Sequence, residues 1–337
     1  MEVKKIVNVW KILLVLFIGI AIGCGEEDPS HTNTAPRILT FEAESDIIAP
    51  GTEVQIHLKA ADLENDELLY TWSATDGELK EENASGAIWH APETERKYQI
   101  EVTISDGENT ITSTLDIQVW RIRPGNYYPL AVGNLWHYRD DSGSEITFEI
   151  IDTIQIQRAG GKTIESFVLQ KSSMDEGLEN IVNYSYLGPL LDENGEVSGI
   201  LQHAQNTTSG TGDTILFEPF LPLYQFPLIP GEKWDVNFQA KLVPELFPIG
   251  GGLDEFEVLS EETVTVPAGI FEHVFQVQES FRWGFDIGNQ DFPLDVTVVN
   301  KWIAPDVGII KFTQSQTRGE LTVNTVFELD SFKLVEN

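Results

Sequence analysis

The sequence predicts an all-β protein in two parts, an antiparallel β-sandwich followed by a duplicated β-meander. Three observations carry this. Apolar and polar residues alternate at period two in runs such as Val54 to Leu58 and Tyr98 to Ile104, the pattern of half-buried strands. Pro-Gly, Asp-Gly and Glu-Asn-Asp turns separate the runs at the spacing of short antiparallel strands. A block then recurs in the second half with a period of about 100 residues, longer than the repeats of solenoid arrays. Helical periodicity is weak, apart from one turn near Met174 to Asn180.

The 337 residues are enough for two domains, and 41% hydrophobic with 10% aromatic content supplies real cores. One cysteine allows no internal disulfide, so those cores must carry stability. The formal charge is −33, which opposes binding to nucleic acid and to anionic lipid headgroups. The same acids are a source of oxygen ligands for Ca²⁺. Most of them read as solvated surface.

The N-terminus carries Lys4, Lys5 and Lys11 ahead of an apolar run, Ile12 to Ile22, too short to span a bilayer as a helix. An uncleaved helix that also recruits Ile6 to Trp10 would have to carry Asn8 and Lys11. The run ends in Ala21-Ile22-Gly23-Cys24, which resembles the lipobox of bacterial lipoproteins. The resemblance implies a signal peptide over 1–23 and acylation, including palmitate, of Cys24. The partner it implies is a membrane, reached through the lipid anchor. Gly25 in place of Asp is compatible, by likeness to enteric lipoproteins, with the outer membrane. Residues 24–35 are polar and aperiodic, a flexible tether of roughly 20 Å reach.

Residues 36–120 form the predicted sandwich. Ala61 to Trp72 (ADLENDELLYTW) and Tyr98 to Gly107 (YQIEVTISDG) resemble the PKD-like and cadherin-like modules of bacterial surface proteins, which have an Ig-like fold. That resemblance implies a core position for Trp72 and a tyrosine-corner position for Tyr98. Related modules hold calcium, which implies Asp62, Asn65, Asp66 and Asp106 as candidate Ca²⁺ ligands. The alternative is that these residues only form turns, through local backbone hydrogen bonds. Leu63 also stands where such loops usually carry Pro or a small residue.

Trp120 to Gly125 (WRIRPG) is the predicted junction. In 126–337, Tyr128-Pro-Leu-Ala-Val-Gly-Asn-Leu-Trp136 recurs as Phe226-Pro-Leu-Ile-Pro-Gly-Glu-Lys-Trp234. Phe148 to Ile151 recurs at Phe256 to Leu259, Ala159-Gly160 at Ala268-Gly269, and Phe167 to Gln170 at Phe275 to Gln278. Each copy reads as a Gly-turned lead-in, an aromatic-led strand, a long strand, a tight turn and a return strand. Past Phe275, Val277, Phe281, Trp283 and Phe285 share one face, and Gln276, Gln278, Ser280 and Arg282 the other. Leu321, Val323, Phe327 and Leu329 form a last alternating run. Thr207 to Gly212 and Gly250 to Gly252 read as loops.

The Pro-Leu-x-x-Gly-x-x-Trp copies, Val266 to Phe271 (VPAGIF) and Trp302 to Gly308 (WIAPDVG) are similar to the bacterial secreted domains called TapB-like. Those share the curved half-barrel of the LolA and LolB lipoprotein carriers, so the resemblance implies an antiparallel half-barrel over 126–337. The carriers lack an N-terminal sandwich, and fold does not carry function.

No catalytic motif is present. There is no Gly-x-Ser-x-Gly elbow, and the six histidines (31, 57, 90, 137, 203, 273) lack zinc-site spacing. Ala159 to Thr163 has Ile156 where a phosphate loop needs Gly. His137, between Trp136 and Tyr138, should face away from both. The sequence therefore points to a non-catalytic, lipid-anchored envelope protein. Its second domain would offer Phe281, Trp283 and Phe285 to an apolar or acyl ligand, or to an envelope partner protein. An ordinary core is the competing account of those aromatics. A second reading is an adhesion or polysaccharide-binding module acting through the sandwich. A glycan-active enzyme is a remote third, because carboxylate separation is not visible in sequence.

Overall fold

The computed structural model describes residues 33–123, 125–174, 181–206, 213–285, 295–318 and 321–335. The lipobox, Cys24 and the 207–212 segment lie outside these residues, as does most of the 174–180 turn. The chain divides into two compact units between Val119 and Trp120.

The first unit contains β1 (Arg37–Ala43), β2 (Ile47–Ile48), β3 (Glu53–Ala61), β4 (Leu69–Ala74), β5 (Glu78–Asn83), β6 (Gly86–His90), β7 (Arg96–Ser105) and β8 (Thr110–Val119). They form two sheets, β1-β3-β6-β5 and β2-β8-β7-β4. Period-two residues of both sheets meet in one core, with Ile56, Trp89, Ile100, Val102 and Ile104 at zero exposure. Trp72 lies in this core against Phe41, and Tyr98 packs on Trp89 with ring centroids 5.5 Å apart. The Tyr98 hydroxyl donates to the Thr94 carbonyl, which ties the strand to the preceding turn as a tyrosine corner does.

The second unit contains β9 (Leu135–Arg139), β10 (Glu145–Gln157), β11 (Thr163–Met174), β12 (Ile181–Leu191), β13 (Val197–Asn206) and β14 (Thr214–Gln225). It continues through β15 (Lys233–Val243), β16 (Phe247–Val266), β17 (Gly269–Phe285), β18 (Asp295–Ala304), β19 (Gly308–Arg318) and β20 (Leu321–Lys333). Each strand pairs with its successor, and β20 returns to β9, so the sheet closes into a barrel.

Closure corrects the expected half-barrel. In β9, Tyr138 pairs with Ile146 of β10 on one side and with Leu329 of β20 on the other. Two six-strand meanders each leave two unpaired edges, and joining them end to end satisfies all four.

The duplication is visible in the hydrogen bonds. The Gly133 N–H donates to the Ile150 carbonyl, and the Ile150 N–H to the Asn134 carbonyl. Gly231 donates to Val258, and Val258 to Glu232, in the same way. Both glycines have left-handed φ, +98° and +94°. The bulge at Ile150/Asp152 recurs at Val258/Ser260.

Gly250 to Gly252 are not a loop but lie within β16. A Cβ on Gly252 would stand 1.8 Å from the Arg282 carbonyl oxygen and 3.1 Å from the Phe238 ring. Glycine here marks close packing, not a turn.

Candidate functional site: the barrel interior

Alternation assigns one face of every barrel strand to the interior. On β15 to β19 the inward positions include Val236 and Phe238, then Asp254 and Phe256, then Val277, Glu279 and Phe281, then Lys301, then Phe312. On the other half they include Tyr138, Ile146, Phe148, Ile150, Leu169 and Lys171. The outward positions carry ion pairs such as Lys233–Glu257, Arg282–Glu255, Lys311–Glu328 and Arg139–Glu145. A membrane-spanning barrel would present an apolar band there, so this outer face is built for water.

One end of the interior is filled by the two repeat lead-ins. Tyr128 packs at a tilt on Tyr224 and Trp136, Tyr127 packs on Phe226 and Phe275, and Leu228 and Ile229 are buried. The Trp136 indole donates to the Val307 carbonyl and the Tyr138 hydroxyl to that of Ile309. Arg123 reaches Glu261 at 3.0 Å and anchors the first lead-in.

Above this floor lies a charged layer. The Lys301 ammonium pairs with Glu279 and lies 5.7 Å from the centre of the Tyr224 ring. Against the cost of burial, Glu279, Tyr224 and Asp254 hold Lys301 above the usual lysine range. Asp254 has no exposed surface, and among the described residues neither carboxylate oxygen has a hydrogen-bond partner. Burial, reinforced by Glu279, pushes it up to about 9, so it is a neutral acid at pH 7. Lys171 stands over Phe148 at 5.8 Å and Phe312 at 6.0 Å. Burial first, and then Lys301, lower its affinity for its proton.

Beyond the charges, the Phe238 ring stacks on Phe281 and Trp283 at 5.4 and 6.0 Å. Two of the three aromatics singled out in the sequence thus share one stack, and both remain half-buried. Phe285 ends β17 opposite Gly250; its side chain is outside the described residues.

The candidate calcium residues lie in two turns that their side chains help to hold. One Asp62 oxygen accepts the N–H groups of Glu64 and Asp66, and one Asp106 oxygen accepts those of Glu108 and Asn109. Asn65 takes a left-handed φ of 63°. Both turns gather at one end of the sandwich through Thr34, bonded to Glu64, and Asn33, bonded to Asn109. Among the described residues no three His, Cys, Asp or Glu side chains are grouped so as to hold a metal ion.

His137 is exposed and shares a hydrogen bond with Thr147 across the strand pair, facing away from Trp136 and Tyr138. His203 is buried on Ser166, and burial lowers it to about 4. The Ser166 residue it meets has no exposed surface. His273 pairs with Glu261 at 2.5 Å, but Arg123 already holds that carboxylate. On the outer face Lys233, Asp235, Glu255, Glu257 and Arg282 line a cleft of ≈ 410 Å³.

Lys171, Asp254, Glu279 and Lys301 were missed in the sequence. The signal was present: Glu279 shares the odd-numbered register of Val277 and Phe281, and a charge on an inward position of an alternating run is worth a question.

The fold and interior define a two-part, all-β chain in which a sandwich precedes a closed barrel with a polar and aromatic interior. Residues 38–119 match the PKD domain family. No curated protein matches the chain. Among solved structures it is similar to a candidate lipoprotein from Parabacteroides distasonis, at 12% identity and a TM-score of 0.33. It is also similar to a candidate exported protein with a YmcC-like fold from Bacteroides fragilis, at 14% identity and a TM-score of 0.31. Each likeness covers 63% of this chain and 100% of the other. A quinonprotein alcohol dehydrogenase-like protein from Bacteroides thetaiotaomicron aligns at 10% identity and a TM-score of 0.20, over 87% of this chain and 72% of its own. Likenesses this distant carry no argument about activity.

Proposed function

We propose that this is a non-catalytic, lipid-anchored protein of the cell envelope whose barrel interior receives an apolar or acyl ligand. The anchor is Cys24, and the outer membrane is the expected location. The observation that supports the ligand is the stack of buried Phe238 with half-buried Phe281 and Trp283, all on inward positions of the barrel. Side chains fill barrels of about eight strands, and wider ones enclose space. A fluorescent fatty acid is expected to bind the chain, with Phe281→Ala and Trp283→Ala each weakening it about tenfold, a loss typical of an aromatic contact. Undiminished binding in both variants would remove the stack from the site. Labelled palmitate should enter the wild-type protein and not Cys24→Ser.

The PKD match supports a second reading, adhesion to polysaccharide or to a neighbouring cell through the sandwich. That unit has its own core, so residues 36–120 can be tested alone on a glycan array, with and without calcium. An array without signal counts against it.

A further inference from the structure

The two repeats differ at their charged positions. Glu279 lies opposite Phe256 as Lys171 lies opposite Phe148, so a glutamate in the second copy occupies the place of a lysine in the first. Lys301, opposite Val277, corresponds to Ser185, opposite Leu169. The second copy therefore contains its own counter-charge, the Glu279–Lys301 pair. The first has an ammonium with two aromatic faces and, among the described residues, no carboxylate partner.

An unpaired buried cation is costly, and aromatic rings return only part of that cost. Asp254 does not help, because its own environment keeps it neutral at pH 7. The interior thus leans positive at this level, inside a chain of net charge −33. Lys301 and Glu279 face inward yet keep 16% and 14% of their side-chain surface accessible. In a closed barrel that surface opens onto the interior.

We propose that Lys171 is the head-group site of the barrel: it pairs with a compact anionic group on a long alkyl chain, and the chain lies toward Phe238, Phe281 and Trp283. This rests on the ligand-binding reading above and adds to it the charge of the ligand. A fatty-acid carboxylate and an alkyl phosphate share this chemistry.

The test uses the full chain carrying Cys24→Ser, so that no acyl group of its own competes. Palmitate, hexadecyl phosphate, hexadecanol and hexadecyltrimethylammonium are compared as displacers of a fluorescent alkyl probe. The anions are expected to bind about tenfold more tightly than the alcohol, as a charge-assisted contact provides. Lys171→Met should abolish that difference and Lys171→Arg restore it. The tighter of the two anions identifies the head. Thermal unfolding of Lys171→Met should show no loss of stability, since a buried charge has been removed. If the alcohol binds as well as the anions, or Lys171→Met leaves palmitate affinity unchanged, the head-group site is overturned and the apolar interior stands. If no alkyl compound binds, both readings fall.

Discussion

Asp254 has no accessible surface and, among the described residues, no partner for either oxygen, and this makes its protonation a matter of stability. Its folded value is about 9, against about 3.9 for a free aspartate. Between those values the unfolded chain releases the proton and the folded chain keeps it. Stability must therefore fall as pH rises through that window, and below it the group contributes nothing. Asp254→Asn is expected to match the wild type near pH 3 to 4. It should gain on the order of 2–4 kcal/mol by pH 8, allowing for relaxation of the site. Urea unfolding at a series of pH values reads this directly, and an advantage independent of pH would contradict it. Single residues also show the limits of sequence reading. Trp72 and Tyr98 were legible because a core tryptophan and a corner tyrosine sit in a recognisable pattern. Trp89, fully buried with its indole bonded to the Asp76 carbonyl, has no such context.

At the scale of the element, the repeat is the informative feature. Its Gly-x-x-Trp spacing gives a left-handed turn at Gly133 and Gly231, followed in each copy by a tryptophan opposite a phenylalanine. A Cβ on Gly231 would meet nothing within 4 Å, so any effect of Gly231→Ala comes from the backbone alone. The expected cost is about 1–2 kcal/mol, with Gly231→Asn losing less, because asparagine tolerates that region. Chemical denaturation checks the order, and a neutral alanine would mean the turn relaxes freely. The strand at Gly250 to Gly252 was misread for a related reason. Glycine also serves where a strand is crowded, and here neighbouring carbonyls and the Phe238 ring crowd it. Those neighbours lie more than ten residues away in sequence.

For the whole molecule, closure is the decisive property. Pairing of β20 with β9 closes the barrel sheet, and it places the charged layer inside a wall rather than on an open concave face. Removing residues 321–337 would expose the edges of β9 and β19 together. The truncated chain is expected to aggregate or to lose its cooperative unfolding transition, seen by size-exclusion chromatography and circular dichroism. A monomer with unchanged unfolding would show that the last strand is dispensable.

Sequence alone determined the strand content, the sandwich, the internal duplication and the inward face of β17. These follow from local periodicity and turn chemistry, which act over a few residues. Only the tertiary structure decided that the sheet closes, that Lys301 meets Glu279 and that Lys171 meets no carboxylate among the described residues. Each depends on strands brought together from distant parts of the chain, and period-two alternation says which face a residue occupies without saying what stands across from it.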